Sequence, residues 1–318
     1  MADEKKLIAV VGATGAQGGG LARAILADPD STFGVRAITR QPGGDKAKAL
    51  AQLGAEIVTA SLDQPESVRA AFRGAHGAFC VTNFWEHASV EREVAQGRAL
   101  ADAVKAEGVR HAIWSTLEDT RKLVPLSDPR LPTLQGKYKV PHFDGKGEIE
   151  AYFRSTGAPV TYLATSFYWE NLIYFGMGPT RAPDGRLVLT VPMGDRKLAG
   201  IAAEDIGGAA YGIFKLSPSA AGRSVGISGD QLTGAQMAAQ LSAALGREIT
   251  YAPLSFDAYR KLGFPGADDL GNMFQYYHDF EQPFCAARDV DATRALHPGL
   301  LSFARWPGKY GQRIPIVG

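Results

Sequence analysis

LIAVVGATGAQGGGLARAIL, residues 7–26, runs an unbroken apolar segment into a glycine-rich turn and then into an apolar-faced helix. Leu7 to Val11 suit a strand covered on both faces of a parallel sheet. The candidate turn comprises Gly12, Ala13, Thr14, Gly15, Ala16, Gln17 and Gly18. In it Gly12 permits a tight bend, Gly15 a close backbone approach to a pyrophosphate, and Gly18 close helix–strand packing. The unpaired N–H groups and positive dipole end of the following helix favour an anion without any lysine, and no cation lies inside the turn. A glycine inside a helix costs about 1 kcal/mol against alanine, so Gly18, Gly19 and Gly20 need a compensating reason. A merely flexible loop is the plain alternative. Strand, turn and helix in this order instead predict a dinucleotide site.

The spacing Gly12, Gly15, Gly18 differs from G-x-G-x-x-G and resembles that of extended and atypical short-chain dehydrogenases. Discrimination between dinucleotides falls at the end of the second strand, where an acid holds a ribose hydroxyl and an arginine a 2′-phosphate. FGVRAITR ends in Arg40, and no Asp or Glu occurs between Asp30 and Asp45. Arg40 offers a permanent charge and a planar fork of donors, so NADP(H) is expected over NAD(H). Nothing in the local sequence repels the extra phosphate.

The 318 residues suffice for a sizeable core, burying about three quarters of the unfolded surface. Lys plus Arg number 34 against 33 Asp plus Glu, with no basic block, so no nucleic-acid surface is expected. No apolar run approaches the roughly 18 residues of a membrane span, and MADEKK has no signal-peptide stretch; no membrane association and a cytoplasmic protein are expected. Cys80 and Cys285 form no C-x-x-C pair, Cys80 reads as a buried core residue, and the six histidines lack ligand spacing, so no metal is expected.

Strand-like runs at 7–11, 33–39, 55–59, 77–81, 109–114 and 159–163 alternate with helical patterns, including 88–108 and 148–156. This is the rhythm of an α/β, doubly wound, Rossmann-like parallel sheet. Residues 118–141, with Pro125, Pro129, Pro132 and Pro141, form a long connection after the fifth strand, either a lid or an ordinary surface loop. Beyond 164 the pattern predicts a hairpin over 186–192 and 196–201, helices over 202–215, 233–245, 255–262 and 268–281, and strands over 223–228 and 248–253. The expected division is residues 1–164 as an NADP-binding domain and 165–318 as a smaller α+β substrate or partner subdomain that could return elements to the sheet.

The blocks VVGATGAQGG, VTNFWE, HFDGKGEIEAYFR, FYWEN, AEDIG and KLGFPGADDL together resemble the NmrA-like family of atypical short-chain dehydrogenase relatives, and within it the cytosolic NADPH-sensor branch. The resemblance implies that Gly12 to Gln17 hold the phosphates and Arg40 the 2′-phosphate. It puts Ser61 and Leu62 at the adenine side, where the sensor branch has an acid in place of Ser61. Thr82, Asn83 and Phe84 would lie beside the cofactor, and Ser166, Phe167 and Tyr168 at its nicotinamide end. Ala95 stands where that branch has a lysine, so one phosphate-side contact is absent.

Short-chain dehydrogenases use Y-x-x-x-K, with tyrosine and lysine on one helix face. This chain retains Lys146, expected on the nicotinamide ribose, but has His142 in the tyrosine position. His142 is either a general acid for carbonyl reduction or a bystander whose chemistry has been lost. Ser115 and Thr116 are candidate substrate-polarising hydroxyls, and Tyr138 a candidate to fold into the cleft. Phe84, Trp85, Phe167, Tyr168, Trp169 and Tyr174 are either a cleft wall or ordinary core. Two functions follow: an NADP(H)-responsive redox sensor acting on a protein partner or as a homodimer, or an NADPH-dependent reductase of a small aromatic or carbonyl, quinone or imine substrate. A catalytically silent interaction module on an old fold is a third.

Overall fold

Alternate residues of the first strand, Ile8 and Val10, join one hydrophobic cluster, while Ala9 and Val11 join another. The two-residue period of a strand thus drives helices onto both faces. The computed structural model describes residues 5–216 and 219–316; the first four residues of MADEKK lie outside them. Seven parallel strands form the main sheet: β1 (Lys6–Val11), β2 (Phe33–Thr39), β3 (Glu56–Thr59), β4 (Gly77–Cys80), β5 (His111–Thr116), β6 (Val160–Ala164) and β11 (Ser224–Gly226). Their order is β11-β6-β5-β4-β1-β2-β3. The winding direction reverses between β1 and β4, where sheets of this kind open a crevice beyond the strands' C-terminal ends.

Helices α1 (Ala16–Ala27) and, from the second half of the chain, α7 (Ala203–Leu216) cover one face. The other face carries α3 (Pro65–Phe72), α4 (Val90–Ala106) and α5 (Pro141–Thr156), while α2 (Asp45–Gln52), which connects β2 to β3, puts Leu50 into the cluster of the α1 face. Helix α5 begins seven residues before the apolar periodicity at 148, because Pro141 at its first turn needs no hydrogen-bond partner there. His142 and Lys146 therefore stand one turn apart on the same helix.

Two three-stranded sheets complete the chain: β7 (Phe167–Tyr168) with β10 (Lys197–Ile201) and β12 (Asp230–Thr233), and β8 (Thr180–Arg181) with β9 (Leu187–Leu189) and β13 (Ile249–Tyr251). The hairpin expected over 186–192 and 196–201 does not form. β9 instead pairs antiparallel with β8 around Pro183-Asp184-Gly185, where Gly185 has φ +84°, and β10 pairs with β7 and β12. That P-D-G sequence is the stronger turn signal. Helices α6 (Asn171–Tyr174), α8 (Gly234–Leu245), α9 (Phe256–Arg260), α10 (Ala267–Asp279), α11 (Glu281–Ala286), α12 (Val290–Leu296) and α13 (Trp306–Tyr310) surround them. Among the described residues no helix is long and apolar enough to cross a membrane, and no group of three His, Cys, Asp or Glu is placed to hold a metal ion. Both cysteines are buried and unbridged.

Candidate functional site

The β1–α1 turn depends on its glycines for distinct reasons. Gly12 has φ +63°, a left-handed conformation costly for other residues. A Cβ on Gly18 would lie 2.6 Å from the carbonyl oxygens of both Gly12 and Val11, so only glycine lets the helix start so close to the strand. Gly20 answers a different need: a Cβ there would sit 2.4 Å from the Glu204 carbonyl oxygen, and one on Gly207 would sit 2.0 Å from the Leu21 nitrogen. Thus α1 and α7 touch backbone to backbone. Helix α1 has Gly15 at its N-cap and no capping side chain, so its first amides remain available to an anion.

In sheet order, the segments following β3, β2, β1, β4 and β6 bring Ser61 and Leu62, Arg40, the glycine turn, Thr82 to Phe84, and Ser166 to Tyr168 to one edge, where Ser115 is the last residue but one of β5. Gln17 ties three of these segments together. Its Nε2 donates to the Tyr168 hydroxyl at 2.6 Å, and its Oε1 accepts from Ser115 Oγ at 2.7 Å. Burial pushes the Tyr168 phenol up to about 12, so it remains protonated at neutral pH. Ser166 Oγ is buried and has no hydrogen-bond partner among the described residues. Thr165, just before it, is held through its carbonyl by Nε of the fully buried Arg288 at 2.8 Å, and Arg288 pairs with Glu118.

The aromatic candidates separate. Phe167 and Trp169 are core, packed on Phe274 and on Phe303 with Trp306 respectively. Trp85 and Tyr168 are half-buried at the edge, and Tyr174 is exposed.

On α5, Lys146 Nζ contacts three acceptors: Glu93 Oε1 at 2.8 Å, Thr82 Oγ1 at 3.0 Å and the Thr82 carbonyl at 3.3 Å. These match the three protons of an ammonium. Glu93, fully buried, also accepts from Thr82 Oγ1 at 2.6 Å. It was not anticipated from sequence, although an acid three residues after Val90 interrupts the buried stripe of α4. His142 Nδ1 lies 2.7 Å from Asp269 Oδ1, and its backbone N–H donates to the other carboxylate oxygen at 3.2 Å. Asp269 stands at the start of α10, 127 residues away in sequence.

The remaining residues of HFDGKGE also have definite tasks. Asp144 accepts from the backbone N–H and hydroxyl of Thr120 and from the N–H groups of Lys139 and Val140. Gly147 leaves room for Asp119, whose backbone nitrogen would lie 2.8 Å from an added Cβ. Buried Lys139 donates to the carbonyls of Asp128 and Leu131 and to Thr133. Asn272 of α10 donates to the Pro132 and Lys139 carbonyls, so residues 118–141 are stapled to α5 and α10 rather than hanging free. Tyr138 does not enter the cleft; it packs with Phe84 and Val90. Thr116 Oγ1 turns to the Leu117 and Lys146 carbonyls.

Arg40 follows β2 as expected, but it has company. Its guanidinium forms a two-pronged ion pair with Glu86, which arrives from the single 3₁₀ turn Phe84–Glu86 after β4. The expectation that no acid approaches this tip is therefore corrected. It considered only the local sequence, and the acid comes from 46 residues downstream.

The NmrA-like family profile matches residues 4–301. The NmrA-like family domain-containing oxidoreductase FrzB of Cladobotryum sp is 31% identical over 293 residues, covering 85% of this chain and 83% of the relative. A second, ptmS of Penicillium ochrochloron, is 30% identical over 312 residues, covering 92% and 89%. Among solved structures, NmrA, described as a negative transcriptional regulator, superposes with a TM-score of 0.77 at 27% identity, covering 96% of this chain and 95% of its own. NmrA has been solved in complex with NAD and with NADP.

Proposed function

The chain belongs to the NmrA-like family, and from that premise we propose that it binds NADP(H) and acts as a cofactor-responsive sensor or regulator. The bound dinucleotide would lie along the C-terminal edge of the large sheet. The turn at Gly12–Gly18 would hold the pyrophosphate, Arg40 the 2′-phosphate, Ser61 and Leu62 the adenine side, and Thr82, Asn83 and Phe84 the middle. Lys146 would bind the nicotinamide ribose by giving up its longest contact, that to the Thr82 carbonyl at 3.3 Å, with Ser166, Phe167 and Tyr168 at the nicotinamide end. Two features fit such a group: the start of α1, which no side chain caps, and the buried hydroxyl of Ser166, which has no hydrogen-bond partner among the described residues. When bound, the cofactor supplies a hydride at the nicotinamide C4.

The observation that carries the regulatory reading is that three of the candidate polar groups around the nicotinamide end are already committed within the protein. Ser115 gives its proton to Gln17, Lys146 meets three protein acceptors, and Tyr138 is packed away. Such a site binds, but its proton donors are poorly available for reduction. The outputs would be a change in shape or association, read by a cytoplasmic protein partner or a second copy of the chain.

One observation favours a reductase. Asp269 fixes His142 through Nδ1, leaving Nε2 without a protein partner among the described residues and therefore usable for proton transfer to a small carbonyl, quinone or imine. The oxidoreductase names of FrzB and ptmS agree with it. The readings divide on incubation of the protein with NADPH and a panel of aldehydes, ketones, quinones and imines. Inertness with cofactor bound, together with an NADPH-dependent change in protease sensitivity or oligomeric state, is the expected result. NADPH oxidation abolished by Lys146→Ala would overturn it. For the cofactor itself, Arg40→Ala should weaken NADPH far more than NADH, and equal losses would refute the 2′-phosphate role.

A further inference from the structure

We propose that Glu86 is the resident occupant of the 2′-phosphate subsite, and that a 2′-phosphorylated dinucleotide binds by displacing it and the turn that carries it. The proposal rests on the reading of Arg40 as the 2′-phosphate residue. The Glu86 carboxylate meets both Nη atoms of Arg40, the fork that a phosphate would also use. Carboxylate and phosphate compete for one set of donors. A phosphate monoester carries about −1.5 to −2 charge at pH 7, so it is the stronger ligand, and Glu86 beside it would be repelled. The side chains of the pair are 61% and 40% exposed, which keeps the internal occupant weak enough to be expelled.

Displacement of the turn would be passed to the groups packed against it. Trp85, the neighbour of Glu86, has its ring centroid 4.9 Å from that of His142 and 6.5 Å from that of Phe175, and a Cβ on Gly266 would lie 2.6 Å from it. Gly266 is the N-cap of α10. On the far side of the turn, Ala88 holds φ +50°, a strained value for a residue with a side chain. A segment kept in a costly conformation by its contacts rearranges readily when one of them is removed. Loss of the Arg40 pair would thus be felt at His142 and at the start of α10. NAD(H), lacking the 2′-phosphate, would leave the pair in place, so the device reports which dinucleotide is bound.

Dissociation constants for NADPH and NADH in wild type, Glu86→Gln, Arg40→Ala and the double variant test the competition. Glu86→Gln should tighten NADPH about fivefold, the strength of a good exposed pair, while NADH changes less than about twofold on the same scale. Arg40→Ala should cancel that gain. Unchanged NADPH affinity in Glu86→Gln, or equal tightening of both cofactors, overturns the proposal while the Arg40 reading stands; loss of both cofactors alike in Arg40→Ala overturns the Arg40 reading instead. Displacement is tested with adenosine 2′,5′-bisphosphate against adenosine 5′-monophosphate. The former alone should change the tryptophan emission, and Trp85→Phe should remove the change; identical responses to the two probes refute the moving turn.

Discussion

Removing the ammonium of Lys146 should damage the fold more than removing the acid it pairs with. Glu93 is fully buried and, among the described residues, would keep the Thr82 hydroxyl as its hydrogen-bond donor, with the His87 imidazole 3.8 Å from its other oxygen. Breaking a buried ion pair from one side costs about 3–5 kcal/mol. The lysine side chain retains 12% exposure, so some water reaches the gap, and about 3 kcal/mol is expected for Lys146→Met. Glu93→Leu should cost about 1–2 kcal/mol, because the ammonium stranded at the rim can turn toward solvent. The double variant, with neither charge left to bury, should recover to within about 1 kcal/mol of wild type, a coupling of roughly 3 kcal/mol. Urea unfolding without cofactor measures all four, since NADP(H) binding would otherwise add its own stabilisation. Should the two single losses simply add in the double variant, Lys146 and Glu93 do not act as a unit.

Three further outcomes are expected. Burial lowers the His111 pKa to about 4, so the unfolded chain takes up that proton first. This contribution is intact above about pH 6.5 and is lost as the pH falls toward 4, on the order of 3 kcal/mol; His111→Gln should flatten that part of the stability profile, and an identical slope would refute the assignment. Gly147→Ala should cost about 1–3 kcal/mol because backbone atoms of Asp119 cannot yield, whereas Gly43→Ala, facing open space, should be neutral or stabilising in the same thermal melt. Lys139→Met should expose residues 118–141 to chymotrypsin, with cuts mapped by mass spectrometry; an unchanged cleavage rate would show that the buried lysine does not fasten this connection.

The main sheet was readable because its strands are short apolar-rich runs, continuous in Leu7–Val11 and in Ala78–Cys80, that recur with helical patterns between them. Gly12 to Gly18 carried both the turn and its reason. The start of α5 was hidden because His142 to Gly147 contains two glycines and no apolar period, although Pro141 marked it. The partners of the site were hidden for another reason. Glu86 on Arg40, Glu93 on Lys146 and Asp269 on His142 are pairings across 46, 53 and 127 residues, and a local pattern carries no information about such meetings. Only Glu93 left a trace, as a charge in an otherwise buried stripe. The hairpin expected over 186–192 and 196–201 is absent because the P-D-G turn draws β9 to β8, an effect that strand-like composition does not reveal.

The contact between Gly20 and Gly207 has a mechanical consequence. With no side chains between them, the two helices have no compressible layer, and sliding one along the other would drive backbone into backbone. Helix α1 and the C-terminal half of the chain are in effect one stiff body on that face of the sheet. A signal from the dinucleotide that bypasses this seam has another route, through the short turn bearing Trp85, whose neighbours Phe84, His142 and Phe175 meet it through side chains rather than backbone.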